Sequence, residues 1–429
     1  MKKYFLFILT AGVLCILPQA THASDLNVLY QQITQLQKTI QQLTTKRQAD
    51  LTRVMEKEWN TYKKNKPNFK GGLAMQVLSP KGDYFVSTGL GKEASNASHF
   101  RTASVSKTFT AAAIMLLNQR GLLNIDDKIT DNIPGTGTPY LPNTPEYDVP
   151  NKGEITIKML LMHWAGVFDV SNNPIPDNQF SHEKPYVGQS YISYMEKIDP
   201  QHTFTFDELV GVVARNKLSF FKPGLAYHYS DTGYSMLGKI IERVSNKTYA
   251  NFIKDELLAP NGLNDTVVVT DGADQEMMDP HPKSYYWDGK ESFDVTLSNM
   301  SPHVAEGSMT TTARDLANWA NKLFTGQAGL SKETINQMIN ACTKTGVEGS
   351  AGDYEYGLGI LCTKLGYGHN GAHEAFLSNM IYNPKTGVAY AIYTNSWNCQ
   401  SCSKNIDSLK DELKEMDLVS NKVLKKLGY

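Results

Sequence analysis

Phe100-Arg101-Thr102-Ala103-Ser104-Val105-Ser106-Lys107-Thr108-Phe109 leads into Ala111, Ala112, Ala113, Met115, Leu116 and Leu117, and Gly121 closes the run. The apolar density predicts a buried helix over residues 102–119 that stops at the glycine. Ser104 and Lys107 are three residues apart and share a helix face, so the amine reaches the hydroxyl. A serine hydroxyl is a poor nucleophile until a neighbouring base takes its proton, and the start of a helix adds free N–H groups that favour an oxyanion. The spacing alone is not decisive, because Ser181/Lys184, Ser219/Lys222 and Ser401/Lys404 repeat it. Only Ser104 opens a long apolar helix directly after predicted strands. This makes it the expected nucleophile, with Lys107 as its activating partner.

Outward from this helix, alternating apolar residues predict strands over 73–78 and 84–86, joined by the turn Ser79-Pro80-Lys81-Gly82-Asp83. Near the other end, 376–382 and 388–394 read as strands around Asn383-Pro384-Lys385-Thr386-Gly387, and 406–427 as an amphipathic helix. Residues 126–303 are rich in Pro, Asn and Gly, with helices at 157–162 and 233–244, and further helices follow at 313–324 and 332–341. Strands at both ends with helices between predict an α+β fold: an antiparallel sheet flanked by helices, with a helical, loop-rich insertion over about 126–303.

The chain has 429 residues and a formal net charge of -1, which leaves no basic footprint for nucleic acid. Lys2 and Lys3, an apolar run over 4–17 and the small-residue site Thr21-His22-Ala23 predict a cleavable signal peptide over 1–23 and a periplasmic or secreted protein. Cys342, Cys362, Cys399 and Cys402 remain after cleavage, an even number suited to disulfides, with three pairings open. From residue 24 to 66 a helical extension is expected. Leu26, Leu29, Ile33, Leu36, Ile40 and Leu43 follow a 3-4-3-4-3 spacing, which reads either as a short coiled coil that self-associates or as a helix packed on its own chain. Leu51, Val54, Met55 and Trp59 continue a stripe in a new phase. The main domain then occupies 67–429.

At residues 100–109 the sequence resembles the serine β-lactamase and penicillin-binding superfamily, in the branch of class C β-lactamases, D-Ala-D-Ala carboxypeptidases and related esterases. The resemblance runs from about residue 51 to 395 through Arg120-Gly121, Leu123-Asn124-Ile125-Asp126-Asp127, Leu160-Leu161-Met162-His163-Trp164-Ala165-Gly166, Phe221-Lys222-Pro223-Gly224 and Tyr356-Gly357-Leu358-Gly359. It implies that Tyr229-Ser230-Asp231 is the second catalytic element, with Tyr229 as general base and acid. Tyr393-Thr394-Asn395 matches that element more literally but ends a strand and reads as structural. Asp231 stands where the family has Asn; an ionised Asp accepts hydrogen bonds but cannot donate one to a substrate carbonyl.

For the third element, Lys344-Thr345-Gly346, Lys385-Thr386-Gly387 and His369-Asn370-Gly371 compete. His369 is chosen because it directly precedes the strand-forming run through Tyr382, and it is expected to present a donor to the substrate. By resemblance, the N–H of Ala372, just after Gly371, joins that of Ser104 as the oxyanion hole. His163 reads as a buried hydrogen-bonding residue, Glu306 as a loop carboxylate, and His373 and Glu374 as a solvated loop. The resemblance implies acyl transfer through an acyl-enzyme on Ser104, without metal or organic cofactor. The expected partner is a small-molecule or peptide substrate: a D-Ala-D-Ala-like peptide, such as a peptidoglycan stem, or a β-lactam. The alternatives are an ester, a D-amino acid amide, or a non-catalytic, self-assembling relative.

Overall fold

The computed structural model describes residues 23–91, 94–345, 354–373, 375–400 and 407–429. The export signal, the 347–353 loop, Glu374, Cys402 and the Ser401/Lys404 pair lie outside the described residues. The chain divides into two compact units, Met1–Arg53 and Val54–Tyr429. The boundary falls inside one 41-residue helix, α1 (Ala23–Lys63). In the first unit no seam residue from Leu26 to Leu43 is buried. In the second, Met55 and Trp59 are fully buried, and the Trp59 indole donates to Gly71 O at 3.1 Å and stacks on Tyr62.

The second unit opens with the hairpin β1 (Leu73–Ser79) and β2 (Gly82–Thr88), followed by β3 (His99–Arg101). A 3₁₀ turn, Ala103–Ser106, feeds α2 (Lys107–Gln119), so the predicted single helix is two pieces with Ser104 in the first and Lys107 heading the second. α3 (Asp231–Ser245), β4 (Met309–Thr312) and α4 (Ala313–Phe324) come next. β5 (Leu361–Thr363), β6 (Gly366–His373), β7 (Phe376–Asn383), β8 (Val388–Thr394) and the terminal helix α5 (Asp407–Leu427) complete the frame.

The main sheet runs β2-β1-β8-β7-β6-β5, with the short strands Glu355–Tyr356 and Thr343–Lys344 at its edge. Its described pairings are all antiparallel. Among the described residues no strand of this sheet comes from between β2 and residue 343; the stretch over 126–303 carries helices and loops, as expected, together with the short strands Val267–Val268, Tyr285–Trp287 and Ser292–Asp294 of two separate three-stranded sheets. Two further helices of that region, Tyr191–Ile198 and Phe206–Arg215, carry no signal that the sequence reading used. His369 is also repositioned: it lies inside β6, opposite Met380 of β7, rather than just before the strand.

β8 is buried at every position because both its faces are covered. Ala389, Ala391 and Tyr393 join the core beside α4, while Tyr390, on the alternate face, lies near Asp417 and Ser420 of α5. α2 is buried from Lys107 to Leu117. Phe109 stacks on Trp319 of α4 with centroids 4.1 Å apart, and the Trp319 indole donates to Thr108 Oγ1 at 2.9 Å. Cys342 and Cys362 form a disulfide, and Cys399 is also disulfide-bonded.

Trp319 clamps α2 by both packing and a hydrogen bond, so its truncation is expected to be costly. Trp319→Ala should destabilise by about 3–5 kcal/mol, and Trp319→Phe, which removes the indole donor, by about 1 kcal/mol. Urea unfolding of both variants checks this; equal losses would mean that the ring contributes little beyond the hydrogen bond.

Candidate active site

Three segments distant in sequence meet at the head of α2. The turn before it supplies Ser104. Ala103, directly before Ser104, sits at φ 49°, a left-handed conformation that costs a residue with a Cβ of order 1–3 kcal/mol. β6 passes directly against this turn: a Cβ on Gly371 would lie 2.3 Å from Thr102 O. The register partner of Gly371, Ser378, donates to the same oxygen at 2.6 Å. Gly371 is therefore a close-approach residue, and Ala372, next along the strand, lines the same cavity as Ser104.

Lys107 has no exposed surface. Its Nζ contacts Ser104 Oγ at 3.1 Å, Asp231 Oδ1 at 2.7 Å, Glu306 Oε2 at 3.2 Å and Glu306 O at 3.0 Å. Burial pushes the amine down, but the carboxylates of Asp231 and Glu306 outweigh it, and the pKa is raised. Lys107 is thus held as an ammonium. Glu306 in turn contacts His303 Nδ1. Burial lowers the imidazole pKa but the Glu306 carboxylate more than reverses this, raising it to about 9. Burial raises the Glu306 carboxyl, and His303 and Lys107 together bring it below its usual range.

Glu306 is therefore not the loop carboxylate that the sequence suggested, but a buried partner of the lysine. The His303-Val304-Ala305-Glu306 spacing was the available signal, with no periodic helix around it to draw attention. Asp231 heads α3, and its Oδ2 accepts from Asn172 Nδ2 at 2.7 Å; burial, then Glu306, raise its carboxyl above the usual range, with Lys107 opposing them. The same amide nitrogen donates to Asp169 Oδ2 at 2.9 Å. Burial, then the Asp231 charge, raise Asp169 to about 7. Asn172 and Asp169 have no local motif by which sequence could find them.

Tyr229 is half-buried, with its hydroxyl buried beside Ser104, and lies below Lys107, whose Nζ is 4.8 Å from the ring centroid. Burial, then the Asp231 carboxylate, raise its hydroxyl well above the usual phenol value, and the Ser104 contact opposes them. Tyr229 is held from behind by the ring of His163, 4.1 Å away. Ser230 N–H donates to His163 Nδ1 at 3.1 Å, so the neutral ring carries its proton on Nε2, which meets Tyr356 Oη at 3.2 Å. Tyr356 donates on to His369 Nε2 at 2.9 Å, and His369 Nδ1–H donates to Asn370 O at 2.5 Å.

The role expected for His369 is corrected by this chain. Both ring nitrogens are engaged, the side chain is buried, and it does not line the cavity. Burial, then Lys107, lower its pKa to about 3. It keeps β6 and Tyr356 in register instead of presenting a donor. His373 moves the other way: read as part of a solvated loop, it lines the cavity, with its ring 4.6 Å from that of His303. Lys344 lies exposed on the edge strand and Lys385 in the β7–β8 turn, so neither faces the site.

The cavity next to Ser104 has a volume of about 230 Å³. Asp231, Glu306 and Glu196, the last from the helix Tyr191–Ile198, contribute three carboxylates to its wall. No lysine or arginine is among the described residues lining it. Asp231, His303 and Glu306 are spaced closely enough to hold a metal ion, but the Lys107 ammonium contacts both carboxylates and supplies the positive charge there.

A model of the Beta-lactamase family matches residues 72–405. Penicillin-binding protein 4* of Bacillus subtilis is 31% identical over 190 residues, covering 44% of this chain and 35% of that protein, so the chain spans about a third of that relative's length. D-amino acid amidase from Ochrobactrum anthropi, solved with L-phenylalanine amide, superposes with a TM-score of 0.67 at 22% identity, covering 88% of this chain and 97% of that one. D-stereospecific amidohydrolase from Streptomyces gives 0.64 at 24% identity, covering 81% and 94%. These two likenesses describe the fold.

Two variants probe this geometry through the rate at which a fluorophosphonate labels Ser104. Asp231→Asn removes one of the two carboxylates that hold Lys107 charged, and its acid limb should move to lower pH by about 1 unit or more. An unmoved limb, or one moved upward, would remove Asp231 from the titration. Gly371→Ala forces β6 off Thr102 O and should slow labelling about 100-fold. Unchanged labelling would show that β6 can retreat without disturbing the nucleophile.

Proposed function

The chain belongs to the Beta-lactamase family, and we propose that it is an exported serine hydrolase that forms an acyl-enzyme on Ser104 from amides or esters bearing a free amino group, such as a D-amino acid amide. The observation that carries the substrate class is the balance of charge at the cavity: three carboxylates, Asp231, Glu306 and Glu196, against two cations, Lys107 behind the wall and His303 in it, with no lysine or arginine among its described lining residues. A D-Ala-D-Ala peptide or a penicillin brings a carboxylate, which such a wall repels, whereas an ammonium is attracted to it. Asn172 spends its amide nitrogen on Asp169 and Asp231, which leaves its carbonyl oxygen as the group available to a ligand, again an acceptor.

The chemical steps follow from the protonation of the cluster. Ser104 can lose its proton to Tyr229 only after the Ser104–Lys107–Tyr229 group has given up one proton to solvent, since Lys107 rests as an ammonium and Tyr229 as a phenol. Ser104 Oγ then bonds to the substrate carbonyl carbon and its proton goes to Tyr229. Tyr229 passes the proton to the leaving amine or alkoxide as the C–N or C–O bond breaks. Water attacks the acyl-enzyme, giving one proton back through Tyr229 to Ser104 and releasing the acid. Lys107 stays charged and steadies the phenolate.

The carboxypeptidase or β-lactamase reading has one observation in its favour, the charged His303 in the cavity wall, but that charge is matched by Glu306. Export is supported by the sequence of the first 23 residues and by the disulfides, which suit an oxidising compartment. The test compares D-phenylalanine p-nitroanilide with its N-acetyl derivative, a diacyl-Lys-D-Ala-D-Ala peptide and a chromogenic cephalosporin. We expect the free amine to exceed its acetylated form by at least tenfold in kcat/KM, and all turnover to vanish in Ser104→Ala. Preference for the peptide or the cephalosporin would restore the carboxylate-binding reading.

A further inference from the structure

The catalytic reading leaves the first unit unused. In α1, Leu26, Ile33 and Ile40 occupy heptad position a, and Leu29, Leu36 and Leu43 position d. None of the six is buried, and Leu26, Leu36, Ile40 and Leu43 are 45–63% exposed. A continuous apolar stripe left in water along about 27 Å of helix needs a cover. We propose that residues 26–43 pair with the same segment of a second copy of the chain as a parallel, two-stranded coiled coil.

Residue choice along the seam selects this occupant. Ile at a with Leu at d is the combination that favours two parallel strands. Within residues 26–44 the flanking positions are uncharged: g holds Gln32 and Thr39, and e holds Tyr30, Gln37 and Thr44. In a parallel, in-register pair, Gln32 of one copy meets Gln37 of the other and Thr39 meets Thr44, so two identical chains bring no like charges together at these positions. The next a and d positions are Arg47 and Asp50, which end the apolar seam, and beyond them the buried stripe changes phase to Met55 and Trp59. A membrane surface is a poorer match, because the polar face of this segment is mostly Gln and Thr rather than Lys and Arg.

The seam is short. A strip about 27 Å long and about 10 Å wide covers a few hundred Å² per copy, less than the ~800 Å² of a standard interface, so the pairing should be reversible and depend on concentration. This inference is independent of the substrate class, and its readout does not involve activity.

Sedimentation velocity of the chain from residue 24 onward should show monomers converting to dimers as concentration rises to about 200 µM. Ile33→Ala with Ile40→Ala keeps helix propensity, confirmed by circular dichroism, and should stay monomeric over the same range with unchanged fluorophosphonate labelling of Ser104. Ile40→Cys should form a cross-linked dimer under mild oxidation, because an a position meets itself in a parallel pair. A monomer at every concentration, a dimer that survives the double alanine variant, or absence of the Ile40→Cys cross-link would each overturn the proposal. So would binding of the 26–43 seam to vesicles of phosphatidylcholine and phosphatidylglycerol in place of self-association.

Discussion

The ammonium of Lys107 is the charge around which the catalytic unit is arranged. Burying an unpaired lysine costs several kcal/mol, so α2 can lie wholly inside the protein only if other elements bring oxygens to its first residue. α3 brings Asp231, the segment before β4 brings Glu306 by both side chain and backbone, and the 3₁₀ turn brings Ser104. Each carboxylate is itself costly to bury, and each has a further partner: Asn172 for Asp231 and His303 for Glu306. With His303 protonated, the four ionised groups sum to zero, which is the condition under which such a cluster can remain in a low-dielectric interior.

That neutrality has a chemical consequence. A lone lysine beside a serine would be pushed towards its neutral, basic form by burial, but two carboxylates in contact reverse the shift. Lys107 is therefore present as a charge, which is why the proposed mechanism assigns proton transfer to Tyr229. Asp231 also opposes ionisation of that phenol, so one carboxylate acts on the Lys107–Tyr229 pair twice, through Lys107 and directly through Tyr229. The same carboxylate contributes to the acidic wall. In the proposed function, this one position therefore sets reactivity at neutral pH against attraction for a cationic substrate.

Local pattern made Ser104, Lys107 and Tyr229 readable, because each sits at an element boundary marked by apolar periodicity or by a motif with its neighbours in order. The two-ended sheet and the helical insertion were readable for the same reason. Glu306, Asp169 and Asn172 were not, since their significance comes from segments that meet only in three dimensions. His369 shows the opposite failure. Its strand is the one that reaches the turn carrying Ser104, where Gly371 lies close against Thr102 O, yet its ring is turned to Tyr356, which in turn meets His163. A motif identifies which strand borders the nucleophile; it does not say which way a side chain on that strand is hydrogen-bonded.

The long helix carries the same lesson in one dimension. Its apolar stripe is continuous in composition but breaks phase between Leu43 and Met55, and an α-helix can satisfy two phases only by facing two different environments. Met55 and Trp59 have theirs, fixed by the Trp59 bond to Gly71 and the stack on Tyr62. None of the seam residues from Leu26 to Leu43 is buried. The change of phase, legible in the sequence, is what separates the part of the helix whose apolar residues are buried, at Met55 and Trp59, from the part whose apolar residues are not.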